Sequence, residues 1–302
     1  MKTKKIMIAG SGMIGAGLAA NALLHGYPTA IYSAVADPAT ARARIADVLA
    51  RLAESGMTDE AGVNAALDLG VFTNDLAEAV EDAALVQECS PERLDVKQSL
   101  YCRVQELAGV GPVIASSTSA IMPTVLQDGV PHPERILVGH PYNPSYLLPL
   151  IEVCGGKQTS EETVAEAMAI YVGLGKKPVL CKKEVIGFLV NQISWSVMEI
   201  AKKLVMDGVC SVEDMDQAIM YGPGMRMAVT GQILTMSLGI QGGLRSAAAK
   251  YGKEPEPADL ILADGVDAEL AGRAPEYGNT EESVIRFRDK MFAIMLREQG
   301  IL

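Results

Sequence analysis

Three groups of residues have types and spacings suited to chemistry. The first is Gly10-Ser-Gly-Met-Ile-Gly15, a Gly-x-Gly-x-x-Gly run that follows an apolar stretch at 6–9 and opens an alanine- and leucine-rich segment. Between a strand and a helix, Gly10 permits a tight turn and Gly12 lets the backbone approach a pyrophosphate. Gly15 lets the helix pack close to the strand. Met13 and Ile14 then begin a helix whose free amides and positive dipole end face the phosphates. The run reads as a dinucleotide site, with a ligand-free structural turn as the alternative. The second group lies at strand ends: Ser116-Ser-Thr-Ser119 and Gly139-His-Pro-Tyr-Asn-Pro144, which holds His140 and Asn143. The third interrupts apolar sequence: Glu152 within 147–153 and Asn191 within 188–193. Singly, these have ordinary readings as a helix cap, a loop histidine and a helix asparagine. Glu152 is the exception, because a carboxylate in an apolar strand is costly without a cation or donor beside it. Their joint placement around one cleft is what gives the set meaning.

The elements that must position them are visible in the pattern. Strands are expected at 5–9, 29–33, 84–88, 113–116, 136–139, 150–154 and 178–181, alternating with helices at 12–25, 38–55, 94–107 and 160–174. That alternation predicts an α/β domain with a parallel sheet and crossover helices, which binds ligands at its strand ends. Beyond Lys182-Lys183-Glu184 the texture becomes helical only, with helices expected at 187–206, 211–221, 225–238, 242–251 and 280–299. The boundary is placed near Val185, giving a dinucleotide-binding domain over 1–184 and a helical domain over 185–302.

Composition narrows the partners. A formal net charge of -11 argues against nucleic acid and against an anionic membrane surface. Five scattered cysteines and three histidines show no metal-ligand spacing and read as reduced thiols of a cytoplasmic protein. Lys2, Lys4 and Lys5 ahead of the apolar stretch imitate a leader, but the glycines at 10, 12 and 15 would break its helix. Neither a targeting segment nor a membrane span is expected.

Ser116-Ser-Thr-Ser119, Gly139-His-Pro-Tyr-Asn-Pro144 leading to Glu152, and Gly187-Phe-Leu-Val-Asn191 resemble the signatures of the L-3-hydroxyacyl-CoA dehydrogenase superfamily. Within it, the Ser-Ser-Thr-Ser form and Val86-Gln-Glu-Cys-Ser-Pro-Glu92 are most similar to the lambda-crystallin or L-gulonate 3-dehydrogenase branch, with carnitine dehydrogenases as near relatives. Leu147-Leu-Pro-Leu-Ile-Glu-Val153, Gly222-Pro-Gly-Met-Arg-Met-Ala228 and Phe287-Arg-Asp289 extend the likeness along the chain. The resemblance implies a Rossmann-type doubly wound sheet followed by an all-helical C-terminal domain for substrate and dimerisation.

It also implies an oxidoreductase that reversibly oxidises the 3-hydroxyl of a small L-3-hydroxy acid, gulonate-like or carnitine-like, to the 3-keto acid. His140 would be the general base and Glu152 its partner, with Ser119 and Asn191 on the reacting oxygen. An imidazole suits such proton transfer near neutral pH. Glu92, Lys97 and Ser117 would contact the cofactor, and the assembly would be a homodimer. The alternatives are an L-3-hydroxyacyl-CoA dehydrogenase proper and a non-catalytic NAD-binding structural protein of the crystallin kind. One position departs from the branch: Ser33 stands where a ribose-binding aspartate is usual. NAD is the expected cofactor, and NADP is admitted because serine carries no charge to repel a 2′-phosphate. Arg42 and Arg44 would reach that phosphate only if their loop folds back. Arg226, without an acid at helical pairing distance, suits a substrate carboxylate, with a structural ion pair as its alternative. Asn143 is assigned to the substrate as well. Trp195 and Tyr146 are candidate walls for a quaternary ammonium.

Overall fold

The computed structural model describes residues 4–249 and 252–302. Its strands are β1 (Lys5–Ala9), β2 (Thr29–Tyr32), β3 (Gly70–Thr73), β4 (Ala83–Glu88), β5 (Val113–Ser116), β6 (Ile136–Pro141), β7 (Leu150–Gly155) and β8 (Lys177–Cys181). The helices are α1 (Met13–Leu24), α2 (Pro38–Glu54), α3 (Glu60–Asp68), α4 (Leu76–Val80), α5 (Leu94–Ala108), α6 (Pro123–Leu126), α7 (Glu161–Gly173), α8 (Phe188–Met206), α9 (Val212–Ile219), α10 (Met225–Thr230), α11 (Gln232–Leu238), α12 (Pro257–Gly272) and α13 (Glu281–Glu298).

One eight-stranded sheet runs in the order β3-β2-β1-β4-β5-β6-β7-β8. Alternate residues of β1 feed opposite cores, as the period of two in a strand requires. Ile6 and Ile8 join α1, α2, α3 and α7 on one face, while Met7 and Ala9 join α4, α5 and α6 on the other. The order of strand connection reverses beside β1, whose neighbours β2 and β4 both run parallel to it. That reversal opens a crevice at the carboxyl ends of β1 and β4, where doubly wound sheets bind ligands.

The structure departs from the expected elements in several places. The sheet is not wholly parallel: β7 runs antiparallel to β6, and β8 is parallel to β7. Residues 142–149 are too short a link for a helical crossover, so β7 must return beside β6. Strand β3 and helices α3 and α12 were not anticipated. The expected helix over 225–238 breaks into α10 and α11 at Gly231, whose φ of +69° no helix accommodates. In place of a helix over 242–251, a short 3-10 turn spans Leu244–Ser246, and the end of that range lies outside the described residues.

The chain divides into two compact units, Met1–Ser196 and Val197–Leu302. The division falls inside α8. The second unit is helical, with a small core of Leu234, Val266 and Val284. A capping box of Ser211 and Asp214 starts α9.

Candidate active site

Strand β6 carries His140 near its end, and the antiparallel return of β7 sets Glu152 directly opposite. Facing residues of such a ladder project from the same face, so the two side chains meet. His140 Nδ1 lies 2.8 Å from Glu152 Oε2. The second carboxylate oxygen, Oε1, accepts the backbone N–H groups of Leu189 at 2.7 Å and Val190 at 3.0 Å. These amides belong to the first turn of α8, which has no acceptor for them within the helix. Glu152 is only 1% exposed. Both of its oxygens are engaged, and the helix dipole adds to their stabilisation. With Nδ1–H donating to the carboxylate, Nε2 is the ring nitrogen left for chemistry. The buried Phe188 ring stands 5.3 Å from the imidazole and limits its movement on that side. The entry to α8 is tight: Gly187 has φ +77° and Phe188 φ +52°. A Cβ on Gly187 would come within 3.1 Å of Asn191 Cβ and collide with the Trp195 ring. Asn191 and Trp195 therefore share one face of the first turns of α8.

Ser119 is exposed in the loop after β5, the strand beside β6. Glu92 holds this loop, accepting the Thr118 hydroxyl and the amides of Ser119 at 3.2 Å and Ala120 at 3.3 Å. Burial raises the Glu92 carboxyl, but the Thr118 hydrogen bond and the Lys97 charge outweigh it and leave the group below its ordinary value. Lys97 is itself buried. It binds both oxygens of Glu88, at 2.9 and 3.0 Å, and lies 3.3 Å from Glu92. Glu88, fully buried at the end of β4, also accepts Tyr101 OH at 2.7 Å and Ser116 Oγ at 2.6 Å. Burial first, then the Glu88 charge, pushes the Tyr101 phenol well up, so it stays a donor. Ser117 Oγ accepts Gln87 Nε2 at 2.8 Å. Beside it, burial pushes the Cys89 thiol up to about 12.

The glycine-rich turn behaves as its sequence dictates. Gly10 has φ +115°, and a Cβ there would stand 2.6 Å from the Cys89 carbonyl oxygen. A Cβ on Gly15 would collide with the Gly10 carbonyl, whereas one on Gly12 meets nothing within 4 Å. That open space lies at the start of α1, which has Gly12 as its N-cap and no side-chain cap. A cavity of about 760 Å³ runs from Gly10–Gly12 to Ser33 and Ala36, bordered by Arg44, Cys89 and Arg103. Uncapped amides, room above Gly12 and this volume fit a dinucleotide.

The first unit thus brings His140 and Glu152 together, with Asn191 on the helix that caps Glu152 and Ser119 on the neighbouring strand end. Gly10, Gly12, Met13, Ile14, Gly15 and Ser33 line or adjoin the glycine-rich turn. Asn143 is placed there too, its Nδ2 3.1 Å from Met13 Sδ. Tyr146 is partly buried in the core on the α1 side, near Gly17. Arg226 belongs to the second unit, exposed near the start of α10 and without an acid in ion-pair reach among the described residues. Sequence reasoning missed Glu88, Arg103 and the capping amides of α8. The available signal for Glu88 was a second carboxylate closing an apolar strand.

Comparison with known proteins identifies the family. Residues 5–185 match the 3-hydroxyacyl-CoA dehydrogenase NAD binding domain, and residues 187–281 match the C-terminal domain of the same family. An L-carnitine dehydrogenase of Pseudomonas aeruginosa is 36% identical over 97% of this chain and 93% of its own length. That of Bacillus cereus is 36% identical over 90% of this chain and 83% of its own. Among solved structures, 5-formyl-3-hydroxy-2-methylpyridine 4-carboxylic acid 5-dehydrogenase, an NAD+-dependent dismutase, superposes with a TM-score of 0.71 at 28% identity, covering 99% of each chain. The chain belongs to the 3-hydroxyacyl-CoA dehydrogenase family and is a nicotinamide-dependent dehydrogenase that acts on a CH–OH group.

Proposed function

We propose that the chain oxidises the 3-hydroxyl of a small, carnitine-like L-3-hydroxy acid to the 3-keto acid, reversibly, with His140 as general base. The observation that carries this reading is the His140–Glu152 bond of 2.8 Å, with Glu152 held from behind by the α8 amides. Bound NAD supplies the hydride acceptor. His140 Nε2 takes the hydroxyl proton, and Glu152 fixes the tautomer and stabilises the imidazolium that forms. In the reverse direction Ser119 and Asn191 donate to the carbonyl oxygen as charge gathers on it. Each such donor contributes about 2.7–4 kcal/mol to lowering the barrier.

The carnitine-like class is favoured over an acyl-CoA by the relatives' names and by Trp195. Its ring is half-exposed one turn after Asn191, where an aromatic face can hold a quaternary ammonium. The same reading takes the protein as a cytoplasmic homodimer, a state that light scattering measures directly. The functional test is NADH formation with L-carnitine, L-gulonate, 3-hydroxybutyrate and 3-hydroxybutyryl-CoA. Turnover of the free hydroxy acids with L-carnitine foremost supports the reading. Turnover of the CoA ester alone overturns the substrate class, and no turnover with any of them favours a binding protein.

A further inference from the structure

We propose that the adenosine end of the cleft admits a 2′-phosphorylated dinucleotide as readily as the unphosphorylated one, with Ser33 and Arg44 meeting the phosphate and Arg103 adding a second cation. This rests on the dinucleotide reading of the Gly10–Gly12 turn. A Rossmann sheet rejects the phosphate by placing a carboxylate at the end of its second strand. Here that end is the neutral, buried Ser33, which borders the cavity. Its Oγ accepts the Ala36 amide at 2.9 Å, and the hydroxyl proton remains free to donate. Asn74 fastens the same loop through the Ala36 carbonyl at 2.9 Å.

The next acid along the chain is committed elsewhere. Asp37 caps α2, accepting the amides of Ala39 at 2.9 Å and Thr40 at 3.2 Å, and it does not line the cavity. Among the described residues, the only carboxylate on the cavity wall is Asp95, which Arg93 engages. Asp95 lies two helical turns of α5 from Arg103, about 12 Å along the axis. Arg44 folds back to the glycine-rich turn, donating through one guanidinium nitrogen to the Ser11 carbonyl at 3.2 Å. Its remaining N–H groups make no ion pair, since the nearby Asp47 is engaged by Arg51, and among the described residues neither Arg44 nor Arg103 takes part in one. Two unpaired guanidinium groups and a hydroxyl, with no free carboxylate, form a wall suited to a phosphate dianion.

The test is equilibrium binding, read from the fluorescence of NADH and NADPH titrated with the full-length protein. The parent is expected to bind NADPH within tenfold of NADH. Arg44→Ala should raise the NADPH Kd at least tenfold and the NADH Kd less than threefold, Arg44→Lys should recover most of the loss, and Ser33→Asp should weaken NADPH alone. An unchanged melting temperature certifies each variant's fold. NADPH binding a hundredfold weaker than NADH overturns the proposal and leaves the dinucleotide reading standing. Equal loss of both cofactors in Arg44→Ala overturns the assignment of Arg44. Binding of neither by the parent sinks the dinucleotide reading itself.

Discussion

Replacing Glu152 by glutamine tests the catalytic reading at its centre. The substitution keeps size and removes one acceptor oxygen. In the parent, Oε1 accepts two α8 amides and Oε2 faces His140 Nδ1. Glutamine has one oxygen for two sets of donors. If its oxygen stays with Leu189 and Val190, its NH2 points at Nδ1 and imposes the tautomer with the proton on Nε2. His140 then cannot accept the substrate proton. The analogous change in a serine protease triad lowers kcat about 10⁴-fold, which is about 5 kcal/mol of barrier. Folding suffers less, by about 1–3 kcal/mol for hydrogen bonds that lose a charged partner. Steady-state NADH absorbance with the preferred hydroxy acid gives kcat/KM, and fluorescence titration gives the dinucleotide Kd. We expect a fall of 10³–10⁴ in kcat/KM, with the Kd changed less than threefold and the fold intact. A folded Glu152→Gln enzyme within tenfold of parental kcat/KM would refute the argument that this carboxylate sets the state of the imidazole.

Other outcomes follow from the same geometry. Gly12→Ala should keep the parental melting temperature, since its Cβ meets nothing, yet raise the NADH Kd at least tenfold by occupying the pyrophosphate's approach. Gly15→Ala should instead lower the melting temperature, because its Cβ strikes the Gly10 carbonyl; the reverse pattern would discredit the turn's assignment. Burial raises the Glu166 carboxyl, but hydrogen bonds from Arg135 and Lys4 outweigh this and hold it below its ordinary 4.5. A carboxylate depressed in the folded state contributes stability above that value and loses it as pH falls through the depressed one. Urea unfolding of Glu166→Gln should therefore show a deficit of about 0.5–1 kcal/mol at pH 7 that shrinks as the pH drops below 4.5. A deficit of equal size at pH 3 would contradict that origin.

Much of the first unit was legible because its signals were local. The Ile6–Gly15 passage pairs alternating apolar residues with glycines that only a turn and a close helix explain, and β1 and α1 formed as expected. Strand β3 left no such trace: it is four residues, half-exposed at the sheet edge, and begins with glycine. The antiparallel return of β7 departs from the parallel sheet expected, because the brevity of 142–149 is a constraint on chain reach that the residue pattern does not carry. In the second unit, Gly231, Gly242 and Gly243 all have positive φ and cut helices that apolar periodicity alone extends. At the site, Glu152 announced itself by the cost of burying a carboxylate. Part of its partnership was hidden, because the amides of Leu189 and Val190 are donors that every residue possesses. Lys97 shows the converse: its binding to Glu88 depends on where β4 ends relative to α5, which no spacing reveals.

The pairing of β6 with β7 also constrains how this protein can diverge. Side chains alternate between faces, so adding or deleting one residue within β7 ahead of Glu152 would turn the carboxylate to the opposite side and leave the imidazole without its acceptor. Length changes confined to 142–149 leave the ladder intact. Descendants of this sequence are thus free to remodel the bend between the two strands, where new specificity can arise, while the strands themselves tolerate exchange of residues but not a change in their number.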